Sequence, residues 1–431
     1  MELNGEVIKR NVNTGNIWNE TGQKSQAKQV SKTKLRQLGL SKDGLNFVDT
    51  LKELRKTPPN IIIATATTDI HFVQNWSDKQ FLKKNNKYVM GLGVFQQLQF
   101  DSNSNKKLLK PATIKFSKFY RPYIGQDLTD KTLLIFRTGG IGDLLFIKPN
   151  LDYLKEKYPT CKIKFACGPQ YQPMVKTWTC IDEMLDLPFA LKHLIDCDYH
   201  SLFEGVIERC KESHVKNSYN LFSKWMGLDL PDELLVPKQE AKSELVEDCV
   251  EVLKGWNVKK GDFILAQLRA SSPIRTPNHQ FWLNLFNKLI DKGYNIILTD
   301  NPRQTESVDD FIKLVDKKDK IFNFCQHSKS LDYSIALTSL SSMTLCTDSA
   351  FSHIAASLDI PAFGIFGPFP GFVRLKTYPK ADWVDAERSC APCFLHGQDP
   401  CPQSGSDGYS PCYDNINHDE VVERIEKLLN K

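Results

Sequence analysis

The order of apolar and polar positions divides the chain into a polar opening, a short mixed segment and two series of alternating elements. Residues 1–45 are rich in Asn, Lys, Gln and Ser and poor in large apolar side chains, a composition that buries too little surface to fold by itself and predicts a basic, loosely attached arm. Between 46 and 130, the runs Ile61-Ile62-Ile63-Ala64-Thr65, Tyr88-Val89-Met90-Gly91-Leu92-Gly93-Val94-Phe95 and Thr113-Ile114-Lys115-Phe116 read as strands of a small α+β extension. Regular alternation begins at 131. The apolar run Leu133-Leu134-Ile135-Phe136 is a buried strand, and Gly139, Gly140 and Gly142 mark a tight turn. Leu145, Ile147, Leu151 and Leu154 then recur at helical spacing until Tyr158-Pro159 stops the helix. A strand at 162–167, a short helix through Met174 and Val175, and a strand at 184–187 follow.

A polar stretch from about 230 to 261, holding one helix near 244–253, separates this series from the next. The second series has strands at 263–268, 295–299, 321–322, 343–346 and 362–366. Its helices lie near 280–292, 304–315, 331–340, 351–358 and 419–429, the last with Val421, Val422, Ile425, Leu428 and Leu429 on one stripe. Strands that alternate with helices predict parallel sheets covered on both faces. The expected fold is therefore α/β: two tandem Rossmann-like domains, 131–240 and 241–431, behind the extension. Ligands of such folds lie at strand C-termini, in the cleft between the two lobes.

Composition changes this picture little. The 431 residues include 25% charged and 41% hydrophobic residues, values of an ordinary globular protein. No apolar run approaches the roughly 18 residues that would span a bilayer, and no signal-peptide core opens the chain, so a cytoplasmic protein is expected, with room for peripheral membrane contact. The net charge of +5 is mild, but residues 1–43 carry eight Lys and Arg against four acids. That arm is either a solvated tail or a contact for an anionic acceptor. Lys and Arg interleave with Phe116, Phe119, Tyr120 and Tyr123, which gives either a stacking platform or packed aromatics.

The glycine turn is the chemical centre of the sequence. Its spacing is neither the dinucleotide fingerprint nor the P-loop. Asp143 falls where the helix begins, as an N-cap or as a carboxylate presented to the cleft.

Two motifs resemble the heptosyltransferase-like glycosyltransferases. One runs from Leu134 through Arg137-Thr138-Gly139-Gly140-Ile141-Gly142-Asp143-Leu144-Leu145 and on to Lys148-Pro149. The other is Cys346-Thr347-Asp348-Ser349-Ala350-Phe351-Ser352-His353-Ile354-Ala355-Ala356, running into Pro361-Ala362-Phe363-Gly364-Ile365-Phe366-Gly367-Pro368. The resemblance spans about 131–430. It implies a glycosyltransferase B-type fold and metal-independent, inverting transfer of a heptose-like sugar from a nucleoside diphosphate donor, with ADP favoured. It makes Asp143 the base. Donor contacts are expected from Gly140, Gly142, Arg275, Asp348, Ser349 and His353, with Arg269 as the rival cation to Arg275. Asp348 suits sugar or ribose hydroxyls better than phosphate, on charge grounds.

The acceptor implied is a hydroxyl of lipopolysaccharide core. The basic arm leaves open a hydroxymethylated base in DNA, and a non-catalytic scaffold that binds sugar nucleotide or nucleic acid is the non-enzymatic alternative. Of twelve cysteines, eight are scattered as buried thiols, while Cys390, Cys393, Cys401 and Cys412 cluster in a Pro- and Gly-rich loop. Three states are open to that cluster: a structural zinc site, reduced thiols or a disulfide.

Overall fold

The computed structural model describes residues 2–3, 6–7, 9–10, 17–18, 51–56, 61–72, 80–100, 106–114, 116–395, 397, 399–405 and 408–430. In 1–45 it describes only two short antiparallel pairs, Glu2–Leu3 with Glu6–Val7 and Lys9–Arg10 with Ile17–Trp18. The rest of the basic arm lies outside the described residues.

The extension is built on a four-stranded antiparallel sheet. Strand β1 (Ile61–Ala66) pairs with β2 (Lys87–Gly91) and with β3 (Leu109–Pro111). Two strand expectations fail here. The run from Tyr88 to Phe95 breaks at Gly91, after which Leu92–Leu98 is helical, because a glycine ends the extended stretch and supplies the helix N-cap. Among the described residues, Thr113, Ile114 and Phe116 form no strand either, and Phe116–Lys118 is a 3-10 turn. The aromatics that follow are packed: Tyr120 stacks on His200 at 6.0 Å and Tyr123 is buried.

The first lobe begins with β4 (Thr132–Phe136), helix α1 (Ile141–Lys157), β5 (Lys162–Ala166) and β6 (Glu183–Leu185). Next comes β7 (Phe189–Ala190), which leaves this lobe's sheet and pairs antiparallel with β2, through Phe189↔Val89, so the extension is stitched to the lobe by backbone hydrogen bonds. Strand β8 (Tyr199–Leu202) returns to the sheet, and the short α2 (Val206–Arg209) and α3 (Ser218–Trp225) follow. The parallel order is β6-β5-β4-β8. Helix α1 starts three residues earlier than its apolar periodicity suggests and carries Pro149 without breaking.

The second lobe opens with α4 (Ser243–Gly255), β9 (Phe263–Ala266), α5 (His279–Asp291), β10 (Asn295–Leu298) and β11 (Ile321–Asn323). It continues with α6 (Leu331–Leu340), β12 (Met343–Thr347), α7 (Phe351–Ser357), β13 (Ala362–Phe366), α8 (Phe372–Leu375), β14 (Ala381–Asp385) and α9 (His418–Leu429). Its six parallel strands run β11-β10-β9-β12-β13-β14. Every residue of β9, β12 and β13 is buried, which is why β9 and β13 read as runs without polar residues rather than as alternations. Helix α9 lays Val421, Val422, Ile425 and Leu428 into the core, and the Asn417 side chain accepts from the Asp419 amide to start it.

Both sheets reverse their strand order at one place, between β4 and β8 in the first lobe and between β9 and β12 in the second. A reversal leaves a crevice beyond the strand ends, because the helices on either side of it depart to opposite faces. The lobes are in direct contact near these points. Ile335 and Ile354 of the second lobe belong to the first lobe's apolar core, and Asn217 Nδ2 donates to Phe372 O at 2.9 Å.

Candidate active site

The loop after β4 is shaped by glycine. Gly140, with φ of 87°, is the N-cap of α1, and a Cβ there would collide with the Asp143 carboxylate. A side chain at this position is thus excluded both by backbone conformation and by contact. Asp143 is not the cap: it lies in the first turn of α1 and makes no capping bond. A negative charge is favoured there by the helix dipole. Its side chain is 21% exposed, and its Oδ2 is held by the guanidinium of Arg137.

Arg137, the residue after β4, is buried and spends all five N–H donors. Nε donates to Gly139 O at 3.1 Å and Nη1 to Phe203 O at 3.1 Å. Glu208 on α2 takes two more, from Nη1 at 3.3 Å and Nη2 at 2.7 Å, and Asp143 takes the last. Nearby, Glu204 accepts from the Thr138 amide and, at 2.7 Å, from the Thr138 hydroxyl. Burial raises the Asp143 pKa and the negative Glu208 adds to the rise, while Arg137 and, from the other lobe, Arg374 oppose it.

The second lobe mirrors this arrangement. Arg275, after β9, is buried, pairs with Asp348 Oδ2 at 3.2 Å, and donates to Asp348 O and Ser271 Oγ, each at 2.7 Å. Arg374 on α8 reaches the other oxygen of Asp348 at 3.1 Å and donates to Ser218 Oγ of the first lobe at 2.8 Å. Burial alone would raise the Asp348 pKa, but Arg374 and Arg275 outweigh it and hold the carboxyl well below the usual carboxylate range. Each switch point therefore carries an arginine from the segment after its first strand bound to a carboxylate from the opposite side of the reversal, Glu208 in the first lobe and Asp348 in the second.

His353 closes the space between the lobes. It is buried, shares a 3.2 Å hydrogen bond with the Tyr219 hydroxyl through Nδ1, and meets Phe146 edge to face at 4.7 Å. A Cβ on Gly142 would come within 3.0 Å of its ring, so that glycine is what lets α7 approach α1. Burial, with Arg374 nearby, lowers the His353 pKa to about 3, and the ring is neutral. Ser349 and Ala350, between Asp348 and α7, are only half-buried.

The structure thus brings Asp143, Gly140, Gly142, His353 and Asp348 together at the lobe junction. It withdraws Arg275 and Asp348 into a buried ion cluster. A cleft of about 460 Å³ beside them is lined by Arg269, Ala270, Ser271, Pro273, Thr276, Pro400, Gly408 and Tyr409. Arg269 stands on this wall, bonded to Asp300 Oδ2 through Nη2 at 2.9 Å. The sequence reading missed Arg137, Glu204, Glu208 and Arg374. Arg137 had a usable signal, a cation between a buried strand and a glycine turn. Glu208 had none, because it lies 71 residues away in the chain.

Cys401 and Cys412 are buried, while Cys390 and Cys393 are half-exposed. The charges of the other three thiols bear on Cys412, after the larger effect of burial, and raise its pKa. The donor chemistry is that of a thiolate metal site, but among the described residues no three His, Cys, Asp or Glu side chains are grouped to hold an ion. The described cysteines form no disulfide. No helix among the described residues is long and apolar enough to cross a membrane.

Two Rossmann-like lobes facing one another across paired switch points form a glycosyltransferase B-type fold. Residues 200–400 match the model of glycosyltransferase family 9 (heptosyltransferase), and with that match the protein is a glycosyltransferase. The glycine turn and Asp143 precede the matched stretch. The solved ADP-heptose LPS heptosyltransferase II of E. coli is similar in fold, with a TM-score of 0.51 at 16% identity, over 69% of this chain and 98% of that one. A glycosyl transferase family 9 structure from Veillonella parvula gives 0.55 at 13% identity, over 70% and 98%. An iron-containing dodecameric glycosyltransferase, TibC, from enterotoxigenic E. coli gives 0.48 at 13% identity, over 86% and 96%. Among curated proteins, none matches the chain.

Proposed function

We propose that the protein moves a heptose-like sugar from a nucleoside diphosphate donor, ADP-heptose in the first instance, to an acceptor hydroxyl in the cytoplasm, with inversion at the anomeric carbon. The observation that carries this reading is Asp143: a carboxylate at the first lobe's switch point, with one oxygen held by Arg137 and no partner for Oδ1 among the described residues. As the acceptor oxygen attacks the anomeric carbon, its proton passes to Oδ1, and the bond from that carbon to the diphosphate breaks. The nucleoside diphosphate leaves with the electron pair. Proton removal by a positioned base is what a weakly nucleophilic hydroxyl requires. The acceptor class in best agreement with the family is a lipopolysaccharide-type glycan.

The donor's diphosphate is assigned to the C-terminal lobe, beside Ser349 and the cleft of Arg269. Arg269 takes the role expected of Arg275, because its side chain lines the cleft and is 40% exposed whereas that of Arg275 is only 10% exposed and bound to Asp348. Its partner Asp300 holds it by a single oxygen, Oδ2. Calorimetry with ADP-heptose tests the donor assignment. Arg269→Ala is expected to weaken binding by about 1.5–3 kcal/mol, the worth of a hydrogen bond to a charged group. Unchanged affinity in that variant would remove Arg269 from the donor site.

A further inference from the structure

We propose that Arg137 is the positioning residue of the base: by taking Asp143 Oδ2 and anchoring itself on Glu208, it fixes which carboxylate oxygen faces the acceptor and keeps that carboxylate ionised. The inference rests on the reading of Asp143 as the base. It also explains features that reading leaves unused, namely a buried arginine with no donor to spare and an acid, Glu208, drawn toward it from the far side of the reversal.

The geometry leaves the guanidinium no freedom. Gly139 O and Phe203 O fix it from the two loops that follow β4 and β8, and both oxygens of Glu208 fix it from α2. A planar fork with every donor occupied cannot rotate away from Asp143 without breaking several bonds at once. A lysine could supply the charge but not the fork. Arg137 therefore touches neither sugar nor acceptor, and it acts through Asp143.

Electrostatics sets the sign of the effect. The charged groups acting on Asp143 are Arg137 and Glu208 in its own lobe and Arg374 across the junction; Glu204 acts on Arg137, and Asp348 and neutral His353 lie beside Arg374. Arg137 favours the ionised base and Glu208 opposes it, as like and opposite charges do at short range. Since the base works only when ionised, its protonation sets the acidic limb of the rate profile. Removing Arg137 moves that limb to higher pH. Removing the charge of Glu208 moves it to lower pH. A residue that merely supported the fold would not produce opposite shifts.

The test is the pH profile of ADP release from ADP-heptose, between pH 4 and 9, for the wild type, Arg137→Gln, Arg137→Lys and Glu208→Gln, with donor affinity measured in parallel. Arg137→Gln is expected to raise the acidic limb by about one to three pH units, the range for loss of an adjacent opposite charge, and to lower kcat on the plateau. Donor affinity stays unchanged. Arg137→Lys restores the position of the limb in part but not the plateau. Glu208→Gln, at a side chain 49% exposed, lowers the limb by less than one unit, and it decides the matter if Arg137→Gln does not fold. Limbs that stay in place in both Arg137→Gln and Glu208→Gln would overturn the role of Arg137, as would an unmoved limb in Glu208→Gln alone where the arginine variant is unfolded. In either case an inactive Asp143→Asn would leave the base reading standing. Turnover preserved in Asp143→Asn would remove the base itself, a separate failure.

Discussion

Asp143→Asn is expected to lower turnover by about 10²–10⁴-fold, the usual worth of a general base, while leaving the affinity for the nucleotide sugar nearly intact. The amide has the same shape, so Gly140 still accommodates it and α1 is undisturbed. Arg137 loses a charged partner but keeps Glu208, Gly139 O and Phe203 O. What disappears is the oxygen able to take a proton. The split between kcat and donor Kd is the informative readout, because the base is proposed to act on the acceptor and the nucleotide is assigned to the other lobe. A parallel loss of donor binding would make Asp143 a donor ligand. Near wild-type turnover would leave the carboxylate as only a favourable charge at a helix N-terminus.

Asp348→Ala is expected to cost stability before it costs chemistry. The side chain is almost fully buried, 4% exposed, between Arg275 and Arg374. Its removal leaves two buried guanidiniums without a counter-ion, and breaking a buried pair in this way costs about 3–5 kcal/mol. Arg374 would keep Ser218 Oγ, and Arg275 would keep Ser271 Oγ and the backbone carbonyl of residue 348. None of these carries the lost charge. Denaturant unfolding at neutral pH measures the loss directly, and a change below about 1 kcal/mol would mean that water reaches the arginines and replaces the carboxylate. The pH dependence has a definite sign. Since the folded pKa of Asp348 is depressed, its contribution is fully present above the unfolded value, about pH 4, and is lost as pH falls further. The wild type should therefore lose stability on acidification more steeply than the variant.

The fold was legible where one strong local signal decided each element. Buried parallel strands such as β9 and β13 are runs without polar residues, and α5 and α9 carry a one-sided stripe with Asn278 and Asn417 as caps. Elements that depend on distant partners were not legible. Strand β7 has two residues and exists because β2 offers an edge to it. Strands β8 and β14 mix polar with apolar residues, as in Tyr199-His200-Ser201-Leu202, and their pairing comes from sheet register rather than from pattern.

The candidate site divides in the same way. Asp143 and the Asp348–His353 segment stand out in the sequence because each follows a strand and opens a helix, a local feature that the family motifs reinforce. Their surroundings do not, since Glu208 and Arg374 reach the site only through the tertiary fold. The same limit applies to the choice between Arg275 and Arg269. Basic side chains near a strand end look alike in sequence, and only the fold shows that Asp348 has drawn Arg275 inward while Arg269 stays at the cleft wall.

A single carboxylate base opposite a leaving nucleotide allows one displacement and no covalent glycosyl intermediate, and this fixes the stereochemistry of the product. Water can stand in for the acceptor, so the outcome can be read by proton NMR of ADP-heptose hydrolysis, in spectra taken before the released sugar equilibrates between anomers. The sugar first released by the wild type is expected to have the anomeric configuration opposite to that of the donor, with no such release by Asp143→Asn. Sugar released with the donor's own configuration would contradict direct displacement assisted by Asp143.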